Sequence, residues 1–205
     1  MKLRTWGAAA AALVLVAAAC AKPPVRELEA TREQARVAIQ ETEAQVFAPD
    51  AARTVQDSIA AVEASIAAQS RRLPFLRKYD AALDRLAGVS AALEDMRRQA
   101  SLGKETMRTE AASRIQEAAA LADSAESESQ STPAVKGGRV LVGMIRAELA
   151  LVREQIEQAR ASLAAEQVAI AHEQAAGARD RARQLLDEVR SSRSKVQALR
   201  ARQSG

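Results

Sequence analysis

The chain is poor in the residues that build thick cores and chemical sites. Its 205 residues include one cysteine, one histidine and two per cent aromatics. A lone cysteine excludes an intramolecular disulfide, and a lone histidine leaves few donors for a zinc site. Strong helix formers dominate instead, with alanine at 49 positions. Sheets favour aromatic and β-branched residues, so we predict an all-α protein built on narrow helix interfaces.

Charge of either sign is not in large excess. The formal net charge is +4, from 30 basic and 26 acidic side chains. Two of the basic residues, Lys2 and Arg4, lie in a segment that we expect to be removed, which leaves 28 − 26 = +2. A nearly balanced chain has no strong electrostatic preference for nucleic acid.

The first twenty residues have the layout of a secretory leader. The basic start precedes an uncharged run of 13 residues at 7–19, which ends in small residues at Cys20. Because a helix needs about 20 residues to cross a bilayer core, we do not expect a permanent span. Export would also keep the chain away from nucleic acid.

The end of that leader resembles the lipobox of bacterial lipoproteins. Residues 16–20 read Val-Ala-Ala-Ala-Cys, with Ala17 where that family usually has Leu. The resemblance implies a signal peptide at 1–19 and lipidation of Cys20, which would anchor the chain to a membrane. Ala21, rather than an Asp, follows the cysteine, so the resemblance also implies the outer membrane, facing the periplasm.

Apolar residues after a tether at 20–25 recur at steps of three and four, as in amphipathic helices. They predict a first helix that ends before Pro49, a second helix with Val55, Ile59, Val62, Ile66 and Leu73 on one face, and a third helix whose apolar face begins at Leu76. In the last helix the apolar face runs from Val142 to Ile170 and resumes one residue out of phase at Leu185, which would locally change supercoiling.

We predict a helical domain at 26–100, a continuation of its last helix at 101–127, a turn at 128–138 and a long helix at 139–203. The turn centred near Pro133 would make the last two helices an antiparallel coiled-coil hairpin in an elongated bundle. The pattern leaves open whether these helices bend at Gly88, Gly103 and Gly177.

Four segments of the predicted helical domain resemble the DUF4398 family, whose helical domains occur in bacterial lipoproteins and envelope proteins. They are QARVAIQ at 34–40, VFAPDAA at 46–52, VQDSIAAVEASIAAQ at 55–69 and FLRKYDAA at 75–82. The resemblance implies an envelope protein without an established activity.

Two features are candidate sites, the single histidine and an acidic cluster near the predicted turn. His172 has no cysteine or aspartate cluster at helical spacing, so a surface or interface position is favoured over a metal ligand or general base. The acidic cluster of Glu117, Asp123, Glu126 and Glu128 is interpreted as a charge-paired tip with Lys136, Arg139 and Arg146. The alternative for this cluster is a divalent cation or a partner.

The C-terminal part of the chain is basic, with eight basic and three acidic side chains at 177–205. Contact with anionic lipid headgroups, lipopolysaccharide or peptidoglycan is one hypothesis for it. The residues considered for this contact are Arg179, Arg183, Arg190, Arg193, Lys195 and Arg200.

These patterns favour a non-enzymatic lipoprotein that acts as a spacer or protein-interaction scaffold in the cell envelope. The alternative is a periplasmic adaptor or holdase that uses exposed Ala/Leu helix faces. Its partner would be an envelope protein or a second copy of the chain. No catalytic residue, metal, cofactor or small-molecule substrate is predicted, since no motif in the sequence combines a nucleophile, a base and an orienting group.

Overall fold

The computed structural model describes residues 22–131 and 138–203, and the regular structure of these residues is helical throughout. The prediction of an all-α bundle is therefore confirmed. The predicted leader and Cys20 lie outside the described residues. The helices are α1 (Val25–Glu41), α2 (Ala44–Phe47), α3 (Pro49–Ser70), α4 (Asp80–Gln130), α5 (Gly138–Ala164) and α6 (Val168–Gln203).

The chain divides into two compact units, and the first holds 22–41 and 50–96 of the described residues. Its core is formed by one apolar face from each of α1, α3 and the start of α4. Apart from Tyr79, small and medium side chains fill this core, as the low aromatic content predicts. The buried residues include Leu28, Ala35 and Ile39 on α1, Val55, Ile59, Val62 and Ile66 on α3, and Leu86, Val89, Leu93 and Met96 on α4.

Helices α1 and α3 are antiparallel. Arg32 on α1 forms an ion pair with Glu63 on α3, which places these two positions side by side. A parallel arrangement would require the connection from Glu41 to Pro49 to span about 35 Å along the helix axes. With α2 in its middle, this connection reaches only about 22 Å. The end of α3 at Ser70 therefore lies level with the start of α1 at Val25.

The first predicted helix is interrupted where the sequence shows no proline. Glu43 has a left-handed backbone with φ of 50°, and it separates α1 from the single turn of α2. Neither Gly nor Asn, the residues that favour this conformation, occupies the position, so the interruption had no sequence signal.

The second unit contains residues 42–49 and the described residues after 96. Its core is an up-down-up bundle of the second half of α4, α5 and α6. Alanine supplies a large part of the buried interface, which lets the helices approach closely. The core residues include Ile115, Ala118, Ala122, Ala125, Ile145, Leu149, Val152, Ile156, Ala159, Ala175, Ala178, Ala182, Leu185, Leu186 and Val189.

The prediction of one long C-terminal helix at 139–203 is wrong. The chain turns back at residues 165–167, so that α5 and α6 pack against one another. Two side-chain contacts define an antiparallel register: Arg181 Nη2 lies 2.5 Å from Glu148 Oε2, and Ser162 Oγ lies 2.8 Å from Gln174 Oε1. Helices α4 and α5 still pair across the predicted turn, as in the predicted hairpin, and α6 adds a third helix to this unit.

The turn itself is a Schellman motif centred on Glu166. The Gln167 N–H donates to the Ser162 carbonyl at 3.0 Å, and the Glu166 N–H donates to the Leu163 carbonyl at 3.2 Å. Glu166 has a left-handed φ of 61°, where glycine is the usual residue. Because a glutamate occupies this position, the sequence carried no turn signal. The shift in the phase of the apolar pattern was the remaining clue, and we interpreted it as a change in supercoiling.

The glycines named above do not interrupt the helices. Gly88 and Gly103 lie within the continuous α4, and Gly177 lies within α6. The predicted turn at 128–138 agrees with the end of α4 at Gln130 and the start of α5 at Gly138, although residues 132–137 lie outside the described part.

Candidate functional site

The second unit is held in register by polar side-chain contacts between α4 and α6. His172 Nε2 lies 2.9 Å from Glu110 Oε2, Arg183 Nη2 lies 2.5 Å from Glu117 Oε1, and Arg190 Nε lies 2.9 Å from Glu128 Oε1. The partners advance in the same order along both helices. Helix α6 is therefore parallel to α4, and its charged side chains contact α4 over five turns.

The neighbouring helix, α5, shares the apolar core with α4, and Arg153 forms the ion pairs between these two helices among the described residues. The Arg153 guanidinium lies 3.4 Å from Asp123 Oδ1 and also binds Glu126. Hydrogen bonding to these two carboxylates, Glu126 first, raises the pKa of Arg153 above its ordinary value. Arg153 and Arg160 line an open groove of about 260 Å³ between α4 and α5, and its walls carry both charge signs.

The acidic cluster is thus charge-paired, but with other partners than the sequence indicated. Glu117, Asp123, Glu126 and Glu128 bind Arg183, Arg153 and Arg190. Of the expected partners, Lys136 lies outside the described residues, the side chain of Arg139 is not described, and Arg146 forms none of these pairs. The reason is topological, since the turn at Glu166 brings α6 alongside α4.

His172, the one histidine, lies on α6 at the interface with α4 and is half-buried. Its hydrogen bond is the main cause that lowers the pKa of Glu110, with a smaller contribution from the charge of Arg114. Within residues 22–131 and 138–203, no three His, Cys, Asp or Glu side chains are grouped as a metal site would require. This arrangement suits positioning of helices better than proton transfer, because the imidazole and the carboxylate occupy each other.

The basic residues considered for an anionic surface have different environments in the structure. Arg179 binds its neighbour Asp180 at 2.6 Å, while Arg183 and Arg190 belong to the α4–α6 pairs. Arg193 is half-buried and Lys195 is exposed, and neither has a carboxylate partner among the described residues. The Arg200 side chain is not described. The hypothesis of an anionic contact therefore depends mainly on Arg193 and Lys195.

Large apolar side chains also remain exposed on the second unit, and of these periodicity had placed only Ile170 on a buried helix face. Leu102 is 69% exposed, Met144 63%, Leu151 55% and Ile170 49%. Ile170 continues the apolar pattern of α5, but it lies beyond the turn and faces solvent. These positions are candidates for partner contact, since each exposes an aliphatic side chain on a regular helix.

Among the described helices, none has both the length and the apolar character needed to cross a bilayer.

Comparison with protein-family models, with curated proteins and with solved structures gave no match to this chain. The resemblance of residues 26–100 to the DUF4398 family and that of the leader to lipoproteins therefore stay predictions.

Proposed function

We propose that this chain is a non-enzymatic lipoprotein, anchored to the outer membrane through Cys20 and facing the periplasm. The observation that carries the proposal is the leader: Lys2 and Arg4, the apolar run at 7–19 and small residues directly before the only cysteine. A single acyl chain binds a membrane only marginally, whereas two or more give stable attachment. Lipoproteins of this kind usually carry two or three such chains.

In this proposal the helical body acts as a spacer or protein-interaction scaffold. Two features of the described residues support it. The helices of the second unit are linked by ion pairs at intervals along their length, which opposes sliding of one helix past another. The one imidazole is engaged with Glu110 rather than placed beside a nucleophile. Both features are typical of a protein that holds its partners at a fixed distance, rather than of an enzyme.

The test of the anchor is a Cys20→Ser variant expressed in a Gram-negative host. We expect the wild type in the membrane fraction and the variant in the soluble or precursor fraction. Mass spectrometry of the wild-type amino terminus should show residue 20 as the first residue, carrying acyl chains. An intact Met1 or a free thiol at residue 20 would contradict the proposal.

A matched variant tests the membrane to which the protein is sorted. Ala21→Asp places an acidic residue directly after the cysteine, where well-studied lipoproteins use it for inner-membrane retention. We expect this variant to keep its acyl chains but to move to the inner-membrane fraction. Equal distribution of wild type and variant would argue against outer-membrane sorting.

A second candidate function is an adaptor or holdase, and the exposed aliphatic residues favour it. Leu102, Met144 and Leu151 expose more than half of their surface, which is unfavourable unless a partner covers them. A photoreactive amino acid at each position should crosslink a stoichiometric envelope protein in intact cells, whereas one at exposed Gln184 should not. Equal crosslinking at all four positions would indicate unspecific contact.

A further inference from the structure

The turn between α3 and α4 exposes three large apolar side chains at one end of the first unit. Phe75 is 71% exposed, Leu73 59% and Leu76 51%. Periodicity predicted that Leu73 and Leu76 belong to buried helix faces, but both lie beyond the last core contacts of α3. We call residues 71–78 the basic–apolar tip, because four cationic side chains flank these three residues.

The tip is held in shape by its own hydrogen bonds. Arg77 donates from Nη2 to the Ser70 carbonyl and from Nε to the Arg72 carbonyl, both at 3.0 Å. The Lys78 N–H donates to Gln69 Oε1 at 3.2 Å, and Pro74–Leu76 form one 3-10 turn. The Arg77 side chain is thus engaged by backbone carbonyls at and just beyond the end of α3. The apolar side chains are presented by an ordered turn, so little ordering entropy remains to be lost on binding.

The remaining charges of the tip are free to bind anions. Arg71, Arg72 and Lys78 are exposed, and their side chains have no hydrogen bond or ion pair with described residues. No acidic residue lies between Ser70 and Asp80. Asp80, the nearest carboxylate in sequence, lies in the first turn of α4, and Glu27 lies in the first turn of α1, where the helix dipole stabilises each of them.

The antiparallel packing of α1 and α3 places the tip at the end of the unit from which the chain leads to Cys20. Ser70 and Val25 each lie seven residues, about 10 Å, from the Arg32–Glu63 pair. Val25 is itself 42% exposed. Cys20 is five residues away, a reach of at most about 17 Å. A membrane that held an acylated Cys20 would therefore be within reach of the tip.

We propose that the basic–apolar tip inserts into the interface of an anionic phospholipid bilayer. Phe75, Leu73 and Leu76 enter the headgroup–acyl boundary, and Arg71, Arg72 and Lys78 bind lipid phosphates. Exposed apolar side chains flanked by unpaired cations suit the interface of an anionic bilayer, which offers phosphates and acyl chains side by side, whereas a protein partner would need a matching apolar groove with negative charge. Only the argument from the position of Cys20 rests on the proposed lipid anchor. The exposure, order and charge of the tip stand without it.

The experiment measures how deeply the side chain at position 75 inserts into the bilayer of lipid vesicles. The full chain carries Trp6→Phe and Phe75→Trp, so that the introduced indole is the only one. It is mixed with vesicles of phosphatidylethanolamine and phosphatidylglycerol whose acyl chains are brominated, or with brominated phosphatidylcholine alone. We expect quenching and a blue shift of the indole in the anionic vesicles and much less of both in the neutral ones.

Two controls make the result specific. In the first, the indole is placed by Leu102→Trp at a residue that is similarly exposed, at 69%, but whose neighbouring cations Arg97, Arg98 and Lys104 already have interaction partners. We expect no quenching there. In the second, Arg71→Gln, Arg72→Gln and Lys78→Gln are added to the chain with the indole at 75. Three fewer cations should shift the equilibrium away from the inserted state by about 100-fold.

Each outcome is decisive. Position 75 unquenched in anionic vesicles overturns the inference, whether or not the chain floats with them. Equal quenching at 75 and 102 also overturns it, because the body would then adsorb without a preferred contact. A crosslink from position 75 to an envelope protein, without quenching, would assign the tip to a protein partner. Failure of the anchor is read separately, as an unmodified Cys20 in mass spectrometry, and leaves the quenching result valid.

Discussion

Gly103 of α4 lies directly against the backbone carbonyl of Phe47 at the end of α2. A Cβ added to Gly103 would overlap the Phe47 carbonyl oxygen and lie 3.0 Å from its carbonyl carbon. Lys104, the next residue, places Nζ 5.5 Å from the centre of the Phe47 ring and 3.8 Å from Glu43 Oε2. Only glycine allows this approach, so the docking of the short α2 depends on a missing side chain.

We predict that Gly103→Ala lowers the free energy of unfolding by about 1–3 kcal/mol, because the methyl group forces α2 away from α4. The matched control is Gly177→Ala, where an added Cβ has no atom within 4 Å. In that open helical position alanine should raise stability by about 0.5–1 kcal/mol. Urea unfolding followed by circular dichroism measures both. Equal effects of the two substitutions would contradict the close packing at Gly103.

The turn at Glu166 predicts a short distance between α5 and α6. Met144 lies four residues before Glu148, and Gln184 lies three after Arg181, so the antiparallel register keeps these exposed positions level. Spin labels on Met144→Cys and Gln184→Cys, in a Cys20→Ser chain, should lie within about 25 Å, given helix axes 8–10 Å apart. In a continuous helix they would be about 60 Å apart. Double electron–electron resonance distinguishes the two, and the longer distance would refute the turn.

Tyr79 offers a stabilising substitution. Its side chain is 3% exposed, and its hydroxyl has no hydrogen-bond partner among the described residues. An unsatisfied buried hydroxyl destabilises the folded state, so Tyr79→Phe should raise the free energy of unfolding by about 1 kcal/mol. Tyr79→Ala should lower it by about 3–5 kcal/mol, since it empties a core position. A loss of stability in Tyr79→Phe would reveal a partner for the hydroxyl.

The Glu110–His172 pair predicts a pH-dependent contribution to stability. The folded pKa of Glu110 is lowered, chiefly by the hydrogen bond to His172. The contribution of the Glu110 carboxylate to the stability of the folded state is therefore fully present above its pKa in the unfolded chain, about 4.3. This contribution is lost as the pH falls through the lower pKa of the folded state. Wild type should be more stable than Glu110→Gln above that window, and the two should converge below it.

The control for this pH effect is Glu173→Gln, which removes an exposed carboxylate beside His172 that has no partner among the described residues. Its stability difference from wild type should stay small and nearly constant with pH. A difference between wild type and Glu110→Gln that grows toward acid would contradict the assigned direction of the pKa shift.

The spacing of apolar residues was sufficient to predict buried positions where these residues lay on one face of a single helix. Val55, Ile59, Val62 and Ile66 were predicted to share a face, and all four are buried. The pattern failed at the ends of such faces. Leu73 and Leu76 continued the spacing but are exposed, because the chain leaves α3 at Ser70 and resumes a helix only at Asp80. Spacing alone does not reveal where the neighbouring helix stops covering a face.

Charge partners were the least accessible to sequence reasoning. The acidic side chains of α4 were correctly expected to be paired, yet their partners lie on α5 and α6 rather than around the connection at Pro133. An ion pair depends on which helices are adjacent, and adjacency here depends on a single left-handed residue, Glu166. Because glutamate adopts that conformation only when tertiary contacts compensate for its cost, no local rule locates it.

The sequence by itself determined that this protein is helical and which residues line its helix faces, because propensity and periodicity act within a few residues of the chain. It also predicts a leader before the single cysteine, on which the proposed anchor rests. Tertiary structure alone decided that the last helix folds back, that α6 lies parallel to α4 and that the apolar side chains at 71–78 stay exposed. Those features depend on distant segments meeting, and the free energy of such contacts is not encoded in any one stretch of residues.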